Sequence, residues 1–351
     1  MDLKEYTEVI SACRFCFMCR HLSAVGEASG READTPRGRA LIAGMILRDP
    51  ACMADPDFVD AFYRSDLSGA NRFHCDGYHD GKGYDEIGMQ LAVRRAIVAA
   101  GRAPEIVRAL AAELKQSAAW RCSGQGEVLY FVDPATARRE STVQAVEKVL
   151  KHAGIAHGVM RGGCIGKALA VLGFTGDAKE VMQKFAAAVK RSGAKTVMFS
   201  SPAAVDAVRN DFKVLGVEFP AEAVYTAQFF VELAEKNKVK FAAKTGKVAY
   251  LQSDYLKNYL KCDCADRLLK LMKAEDIGFG TNAEESCTVA EGALVLDRIH
   301  PELSIALARR VAALADRDRL TVAASVHTAE ALRAAGCETV TLDELAGDSL
   351  C

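Results

Sequence analysis

Apolar and polar positions divide the chain into three regions. Residues 1–100 contain few of the patterns typical of strands, and short helical patterns cover residues 37–47 and 87–99. Residues 103–118 carry apolar side chains at the spacing of an amphipathic helix, which we interpret as a connector. From about residue 126, short apolar runs such as EVLYFV alternate with helical patterns such as TVQAVEKVLKHAG. This alternation predicts a mostly parallel sheet covered by helices.

The alternating pattern occurs twice. GEVLYF at 126–131 corresponds to GKVAYL at 246–251, and TVMFSSPAAVDAVR at 196–209 corresponds to TVAASVHTAEALR at 321–333. Stretches that recur in the same order along a chain indicate an internal repeat.

A cysteine between these stretches supports the repeat. Cys164 precedes Ser201 by 37 positions, and Cys287 precedes Ser325 by 38. The two matching stretches and the cysteine between them occur in the same order and at nearly equal spacing in both halves, which predicts two copies of one α/β domain. We therefore expect an α/β protein in three parts, with an N-terminal α-helical lobe and connector over 1–119 and repeated domains over 120–245 and 246–351.

Length and charge exclude several classes of protein. The chain has 351 residues, enough for two or three domains with cores of their own. Its net charge of −1 gives no indication of nucleic acid or a membrane surface as a partner. The opening MDLKEYTEVI lacks the order of a signal peptide, and no apolar run approaches the roughly 18 residues of a transmembrane helix. We expect a cytoplasmic protein whose association with any membrane would come through its partners.

The cysteines carry the candidate chemistry. Twelve cysteines in such a chain indicate metal or cluster ligands rather than disulfides. Cys13, Cys16 and Cys19 have the spacing C-x2-C-x2-C, which allows three sulfurs to hold one [4Fe–4S] cluster. In a two-cluster ferredoxin the next cysteine serves the other cluster, and Ser23 occupies that position here. The alternatives are three structural thiols or a zinc site, although zinc sites usually use paired C-x2-C units.

The fourth thiolate must come from elsewhere, and Cys52 and Cys75 are the candidates. Cys75 resembles the last cysteine of a second ferredoxin motif, which serves the first cluster by ligand exchange. The three cysteines that would precede it are replaced by Ser65, Ser68 and Asn71. Cys52 is held in reserve, with an ordinary buried thiol as its alternative. The expected ligands of one cluster are Cys13, Cys16, Cys19 and Cys75.

The stretch CRFCFMCRHLS, followed by TPRGRALI, resembles the iron–sulfur subunits of the heterodisulfide-reductase and glycolate-oxidase type. TPRGR at 35–39 matches the [ST]-P-R-G-R motif that follows the first cysteine group in that family. The family joins an N-terminal two-cluster ferredoxin region to two cysteine-rich CCG domains. The resemblance therefore implies a ferredoxin-like lobe over 1–119 and degenerate CCG-type domains over 120–245 and 246–351.

Most ligands of the CCG domains are replaced in this chain. The paired cysteines become GC at 163–164 and SC at 286–287, and Cys-Pro-x-Cys becomes SPAA at 201–204 and SVHT at 325–328. The leading cysteine is missing from both domains, with Asp254 near its place in the second. The noncubane clusters of heterodisulfide reductase need about five thiolates. We therefore do not expect cluster-based disulfide reduction by this chain.

The surviving cysteines suggest a second cluster. Cys164, Cys262, Cys264 and Cys287 are the right number of thiols for another [4Fe–4S] cluster between the repeats. On a regular helix Cys262 and Cys264 would point apart, so they could act together only from a loop or a first helical turn. Buried, inert thiols are the alternative.

The resemblance implies an iron–sulfur electron-transfer subunit of a multi-subunit flavin-dependent oxidoreductase. It would take electrons from a flavoprotein dehydrogenase partner, whose FAD or FMN does the hydride chemistry, and pass them to a quinone-linked or ferredoxin-like soluble acceptor. One alternative is a non-redox scaffold or assembly subunit with a structural cluster. Another is an enzyme that binds substrate at an open cluster iron.

Overall fold

Two sheets of mostly parallel strands organise the chain after residue 119, and helices make up most of what precedes them. The computed structural model describes residues 2–13, 16, 18–73, 75, 78–79, 82–83, 85–242, 246–279, 287–316 and 318–351. The α/β class and the mostly parallel sheets expected from the sequence are confirmed. The predicted domain boundaries stay predictions.

Short helices joined by 3-10 turns form the N-terminal region, and several begin with a side-chain cap and a proline in the first turn. The α-helices are α1 (Thr7–Cys13), α2 (Ala24–Ser29), α3 (Pro36–Arg48), α4 (Pro56–Tyr63), α5 (Glu86–Ala99) and α6 (Glu105–Gln116). The 3-10 helices are Leu3–Tyr6, Arg20–Leu22, Glu32–Asp34, Pro50–Ala54 and Ala70–Phe73. Strands β1 (Tyr78–His79) and β2 (Lys82–Gly83) pair antiparallel.

The first large sheet has the strand order β3-β5-β4-β6-β7. Its strands are β3 (Trp120–Gly124), β4 (Val128–Val132), β5 (His157–Gly162), β6 (Thr196–Phe199) and β7 (Glu222–Tyr225). Only the pairing of β3 with β5 is antiparallel. The helices between and after these strands are α7 (Pro134–Ala137), α8 (Glu140–His152), α9 (Lys167–Leu172), α10 (Thr175–Ser192), α11 (Pro202–Asp206), a π-helical turn (Ala207–Asp211), α12 (Phe212–Val214) and α13 (Thr226–Glu235).

The second large sheet has the order β11-β10-β8-β9, with every pairing parallel. Its strands are β8 (Lys247–Leu251), β9 (Glu275–Asp276), β10 (Leu320–Ala323) and β11 (Thr339–Thr341). The helices in this part are a π-helical turn (Tyr255–Tyr259), α14 (Cys264–Leu271), the 3-10 helix Glu291–Ala293, α15 (Leu296–Ile299), α16 (Pro301–Leu314), α17 (Val326–Ala334) and α18 (Leu342–Asp348).

The two sheets repeat one topology, as the internal repeat predicts. Without β3, the order of the first sheet is β5-β4-β6-β7, which is second, first, third and fourth along the chain. Read from its other edge, the second sheet has the order β9-β8-β10-β11, which is the same arrangement. The winding therefore reverses between β4 and β6 in one sheet and between β8 and β10 in the other. In α/β sheets, ligands bind beyond the carboxyl ends of the strands at such a reversal.

The two α/β parts pack against each other. Helix α18 of the second part lies on α8 of the first. The Tyr225 hydroxyl, at the carboxyl end of β7, donates to the Ala324 carbonyl at the carboxyl end of β10. The carboxyl ends of β7 and β10, one from each large sheet, are therefore near each other in the fold.

Among the helices that the structure describes, none combines the length and the apolar character needed to cross a bilayer.

Candidate functional site

The first cysteine group lies where helix α1 ends. Cys13 is the last residue of α1, and the Cys16 N–H donates to the Cys13 carbonyl at 3.2 Å, which closes a turn. Cys19 lies directly before the 3-10 helix Arg20–Leu22. Cys13 is buried, Cys19 is half-buried and Cys16 is exposed. The three thiols of this short segment therefore range from buried to exposed.

Cys75 belongs to a segment that lies against this one. It follows the 3-10 helix Ala70–Phe73, which contacts the 3-10 helix Arg20–Leu22. The pKa of Cys19 is raised to about 12, first because burial disfavours the thiolate and then because Cys13, Glu86 and Cys75 add negative charge nearby. Cys13 and Cys75 therefore both lie near enough to Cys19 to raise its pKa, although Cys75 is far from the other two in sequence.

The chemistry of this donor set fits an iron–sulfur cluster. In the part of the chain that the structure describes, no three His, Cys, Asp or Glu side chains are already arranged around one metal position. Burial and the neighbouring thiols favour the protonated form of Cys19, whereas a coordinated iron favours the thiolate. Four thiols in a partly buried place are the ligands that a cubane cluster uses. Cys13, Cys16, Cys19 and Cys75 are the residues that would hold it.

Cys52, the reserve ligand, lies in the 3-10 helix Pro50–Ala54, which packs on α3 and α4. Its side chain is half-buried beside the main core. Among the described residues, the thiols that raise the pKa of Cys19 are Cys13 and Cys75. The surroundings of Cys19 thus favour Cys75 over Cys52 as the fourth ligand.

Sequence reasoning missed Glu86, which lies at this site. Glu86 is the first residue of α5, is 2% exposed, and contributes to the raised pKa of Cys19. Acidic residues are common in the first turn of any helix because they interact favourably with the helix dipole. Its place in the sequence therefore carried no signal of a site.

Serines now make local hydrogen bonds at positions where a two-cluster ferredoxin has cysteines. Ser23 caps α2 by accepting from the Gly26 N–H at 3.1 Å, and its hydroxyl donates to the Asp34 carbonyl at 3.2 Å. Ser65 accepts from the Leu67 N–H at 3.2 Å, and Ser68 is likewise buried. These positions support the backbone of the lobe, which gives a structural reason for hydroxyls there.

The TPRGR segment starts helix α3 and fastens it to its neighbours. Thr35 caps the helix by accepting from the Gly38 N–H at 3.0 Å, and Pro36 is the first helical residue. A Cβ at Gly38 would lie 2.0 Å from the Glu32 carbonyl oxygen, so only glycine fits. Arg39 is 2% exposed and donates to the Ala61 carbonyl at 2.9 Å. The motif is thus part of the packing of the N-terminal region.

The structure does not gather the four cysteines of the second predicted cluster into one group. Cys287 packs in a separate apolar cluster with Leu251 and Phe279, whereas Cys264 lies in the main core and Cys164 and Cys262 pack against it. Cys164 lies in the loop between β5 and α9, where its sulfur accepts from the Gly166 N–H at 3.2 Å. Burial raises the pKa of the Cys164 thiol. The second cluster stays a prediction.

Cys262 and Cys264, by contrast, influence each other's pKa. Cys264 lowers the pKa of Cys262, and Cys262 together with burial raises the pKa of Cys264. Cys264 is the first residue of α14 and is buried, while Cys262 is half-buried in the loop before it. One cysteine in a loop and the other in a first helical turn is the arrangement that the sequence analysis requires if both are to bind one cluster.

A buried polar network lies where the resemblance would place the cysteines of the second CCG domain. The Ser253 and Ser325 hydroxyls both donate to the Glu291 carboxylate, with Ser325 at 2.7 Å. The Thr288 hydroxyl donates to Asp254 at 2.7 Å. Burial and the charge of Glu291 raise the pKa of Asp254 well above its ordinary value. The leading and closing positions of the motif are therefore linked by carboxylates and hydroxyls, and Glu291 is another residue that the sequence did not reveal.

A buried lysine connects the first domain to the second. Lys167, the first residue of α9, donates to Asp206 at 2.5 Å and to Asp211 at 2.7 Å. Its ammonium lies 5.1 Å from the ring centroid of Tyr255, which follows Asp254. Both carboxylates raise the pKa of Lys167 despite its burial. This charged cluster fixes the helix after the Cys164 loop against the second domain.

Comparison with known proteins adds information on the fold alone. No family model and no curated protein matches the chain. A solved structure described as the crystal structure of a hypothetical protein from Helicobacter pylori is similar, with a TM-score of 0.61 and 10% sequence identity. The match covers 99% of this chain and 75% of the other. What the two proteins share is therefore the arrangement of their helices and strands along nearly the whole of this chain.

Proposed function

We propose that this protein is an iron–sulfur electron-transfer subunit of a multi-subunit flavin-dependent oxidoreductase. One [4Fe–4S] cluster would be held by Cys13, Cys16, Cys19 and Cys75. The observation that carries the proposal is the proximity of Cys75 to Cys13 and Cys19 across a long stretch of chain, in a place where burial and mutual repulsion act on the thiols. The resemblance to subunits of the glycolate-oxidase type supports the same assignment.

The roles of the chain's own residues follow from their exposure. A [4Fe–4S] cluster supplies reversible one-electron transfer when it is bound. Buried Cys13 would hold it from the core side, and exposed Cys16 would hold it from the surface side. Met18, between the last two cysteines of the triplet, is 47% exposed. The side that presents Cys16 and Met18 is the one through which an electron partner would approach.

The partners follow from this role. A flavoprotein dehydrogenase subunit carrying FAD or FMN would oxidise a small organic substrate and deliver electrons singly. A quinone-linked or ferredoxin-like acceptor would receive them, and any contact with a membrane would be made by these partners.

Iron and sulfide analysis of anaerobically purified protein tests the proposal. We expect at least about four irons per chain, one cubane cluster, and an electron paramagnetic resonance signal that appears on reduction and disappears on reoxidation. Iron that does not respond to reductant would instead support the scaffold alternative, and spectral shifts on adding substrate would support an open-iron enzyme. Colourless or zinc-only protein would refute the proposal.

A matched pair of variants tests the ligand set. Cys75→Ser should remove about four irons, whereas Cys52→Ser should leave the iron content and the signal unchanged. Both changes replace a half-buried thiol by a hydroxyl in the same lobe, so general damage to the lobe would affect both. The opposite result would transfer the ligand role to Cys52.

A further inference from the structure

The second α/β part holds the chain shortly before Cys75. The Tyr259 hydroxyl donates to the Leu67 carbonyl at 2.5 Å, and the Asn258 side-chain amide donates to the Ser68 carbonyl at 2.6 Å. Leu67 and Ser68 are only 1% and 4% exposed, so their carbonyls lie away from water and need donors from the protein. The donors come from side chains 192 and 190 residues further along the chain.

A close approach of two backbones fixes Leu67 from a second direction. Gly292 lies in the 3-10 helix Glu291–Ala293, and a Cβ at this position would be 2.3 Å from the Leu67 carbonyl oxygen. Leu67 has φ 51°, a left-handed conformation that non-glycine residues seldom adopt. Such a conformation persists where the surrounding structure enforces it. The contacts from Tyr259 and Gly292 supply that surrounding at Leu67.

Hydrogen bonds connect Gly292 to the strands of the second sheet. Asp254, which follows β8, accepts from the Gly292 N–H at 3.1 Å. Glu291 accepts from the Ser253 hydroxyl after β8 and from the Ser325 hydroxyl after β10. The short helix that approaches the N-terminal region is therefore bonded to the carboxyl ends of two strands.

The ring of Tyr259 is oriented by residues of both α/β parts. Tyr259 ends the π-helical turn that begins at Tyr255, and the two ring centroids are 4.7 Å apart. The Lys167 ammonium of the first part lies 5.1 Å from the Tyr255 centroid and 5.8 Å from the Tyr259 centroid, within the range of cation–π attraction. Turns of the π type are rare and often lie at functional sites.

The held residues lead directly into the candidate cluster site. The 3-10 helix Ala70–Phe73 begins three residues after Leu67, and Cys75 comes two residues after this helix ends. The helix contacts the 3-10 helix Arg20–Leu22, which directly follows Cys19. A binding site keeps its ligands within about 0.5 Å of the required geometry only if the surrounding residues hold them there. The place of Leu67 therefore affects whether Cys75 can reach the same cluster as Cys19.

We propose that Tyr259 and Asn258 are positioning residues for Cys75, so that the second α/β part acts as a clamp on the segment that carries the fourth cluster ligand. The inference rests on the proposed function, because it concerns the cluster of the N-terminal region. Tyr259 and Asn258 act through two backbone carbonyls rather than by coordination. This role does not require a cluster in the second α/β part.

Hydrogen exchange of the full-length, anaerobically purified protein tests the clamp. Tyr259→Phe removes only the hydroxyl that bonds to Leu67. The amides of residues 67–73 should then exchange about tenfold faster than in the parent, the factor expected when a local opening loses one buried hydrogen bond. The matched control is Tyr225→Phe, which removes a hydroxyl that bonds to the Ala324 carbonyl, also at 2.5 Å. It should leave these amides unchanged.

The bound iron provides a readout of ligand position. An iron chelator should remove iron about tenfold faster from Tyr259→Phe and from Asn258→Ala than from the parent. The g-values of the reduced cluster in electron paramagnetic resonance should also shift in both variants, because the Cys75 sulfur is no longer held in one place. Tyr225→Phe should match the parent in both measurements. A general loss of stability would not move the g-values.

The proposal is overturned if residues 67–73 exchange equally fast in Tyr259→Phe and in the parent. It is equally overturned if the g-values and the rates of iron removal of Tyr259→Phe and Asn258→Ala match those of Tyr225→Phe. Parent protein without iron refutes the electron-transfer role itself, whereas unchanged exchange in iron-containing protein refutes the clamp alone. The two failures are therefore distinguishable.

Discussion

Replacing Glu344 by Gln perturbs the ion pair that joins the two α/β parts. Glu344 accepts from Arg139 Nε at 2.6 Å and from Arg139 Nη2 at 2.8 Å. It also accepts from the Ser141 hydroxyl, from the Thr142 hydroxyl at 3.1 Å and from the Thr341 N–H at 2.9 Å. An amide supplies one acceptor atom in place of two, and its NH2 group would face these donors. The change therefore breaks a bidentate pair and a helix cap together.

The magnitude follows from burial and from what Arg139 retains. The side chains of Arg139 and Glu344 are only 9% and 10% exposed, and breaking a buried pair destabilises a protein by about 3–5 kcal/mol. Arg139 still has Glu330 at 3.1 Å and the Thr339 carbonyl at 3.0 Å. The lower end of that range, about 3 kcal/mol, is therefore expected.

Equilibrium urea unfolding of the two proteins measures this loss. With an m-value of about 2–3 kcal/mol per M, the midpoint should fall by about 1–1.5 M. The matched control is Glu127→Gln, which makes the same change in a pair with Lys195 whose side chains are more than 70% exposed, and which should change stability by less than about 1 kcal/mol. Equal shifts for the two variants would refute the reasoning.

The same variant has a defined pH dependence. Hydrogen bonds from Arg139 and Ser141, together with the charge of Arg139, hold the pKa of Glu344 below its ordinary value of 4.5 although burial opposes them. A carboxylate with a lowered pKa in the folded state contributes its full stability above the unfolded value and loses it as the pH falls through the folded value. The difference between the parent and Glu344→Gln should therefore be constant at neutral pH and shrink below about pH 4.5.

Three further outcomes are expected. Gly38→Ala should destabilise the chain by about 3 kcal/mol in urea unfolding, because the added Cβ meets the Glu32 carbonyl. The control Gly176→Ala has open space around it in helix α10 and should stabilise the chain by about 0.5 kcal/mol. Similar effects of the two substitutions would contradict the close approach at Gly38. Lys167→Met should cost about 3–5 kcal/mol at neutral pH, because buried Asp206 and half-buried Asp211 lose their cation, and less as falling pH protonates Asp211, whose pKa is raised by burial; a loss independent of pH would count against this explanation. Cys287→Ala should lower the iron content by about four if the second cluster forms, and unchanged iron would remove that prediction.

Local patterns predicted the elements well because apolar spacing reflects which side of an element faces the core. The EVLYFV and GKVAYL runs became β4 and β8, and the helical patterns at 37–47 and 87–99 became α3 and α5. Helix α10 begins at Thr175, six residues before the helical pattern VMQKFAAAVKRSG at 181–193. Its first turn contains Gly176 and Asp177, which face solvent and so carry no apolar signal.

The candidate site could be predicted only where its residues are neighbours in sequence. The C-x2-C-x2-C spacing identifies three candidate ligands from sequence alone, namely Cys13, Cys16 and Cys19. Cys75 was chosen by resemblance, and only the packing of two 3-10 helices brings it to Cys19. Glu291 gave no signal at all, because a single glutamate beside a loop is indistinguishable from a surface residue until two serines are seen to donate to it.

The sequence alone determined the strands and helices, their duplication and the spacing of the thiols, since each of these is written in residues a few positions apart. The tertiary structure decided which thiols meet. It packed Cys287 apart from Cys164, placed Cys264 in the first turn of α14, and filled the surroundings of Glu291 with carboxylates and hydroxyls. The physical reason is that contacts between distant segments depend on how whole elements pack, and side-chain periodicity fixes the inward face of an element without fixing its neighbour.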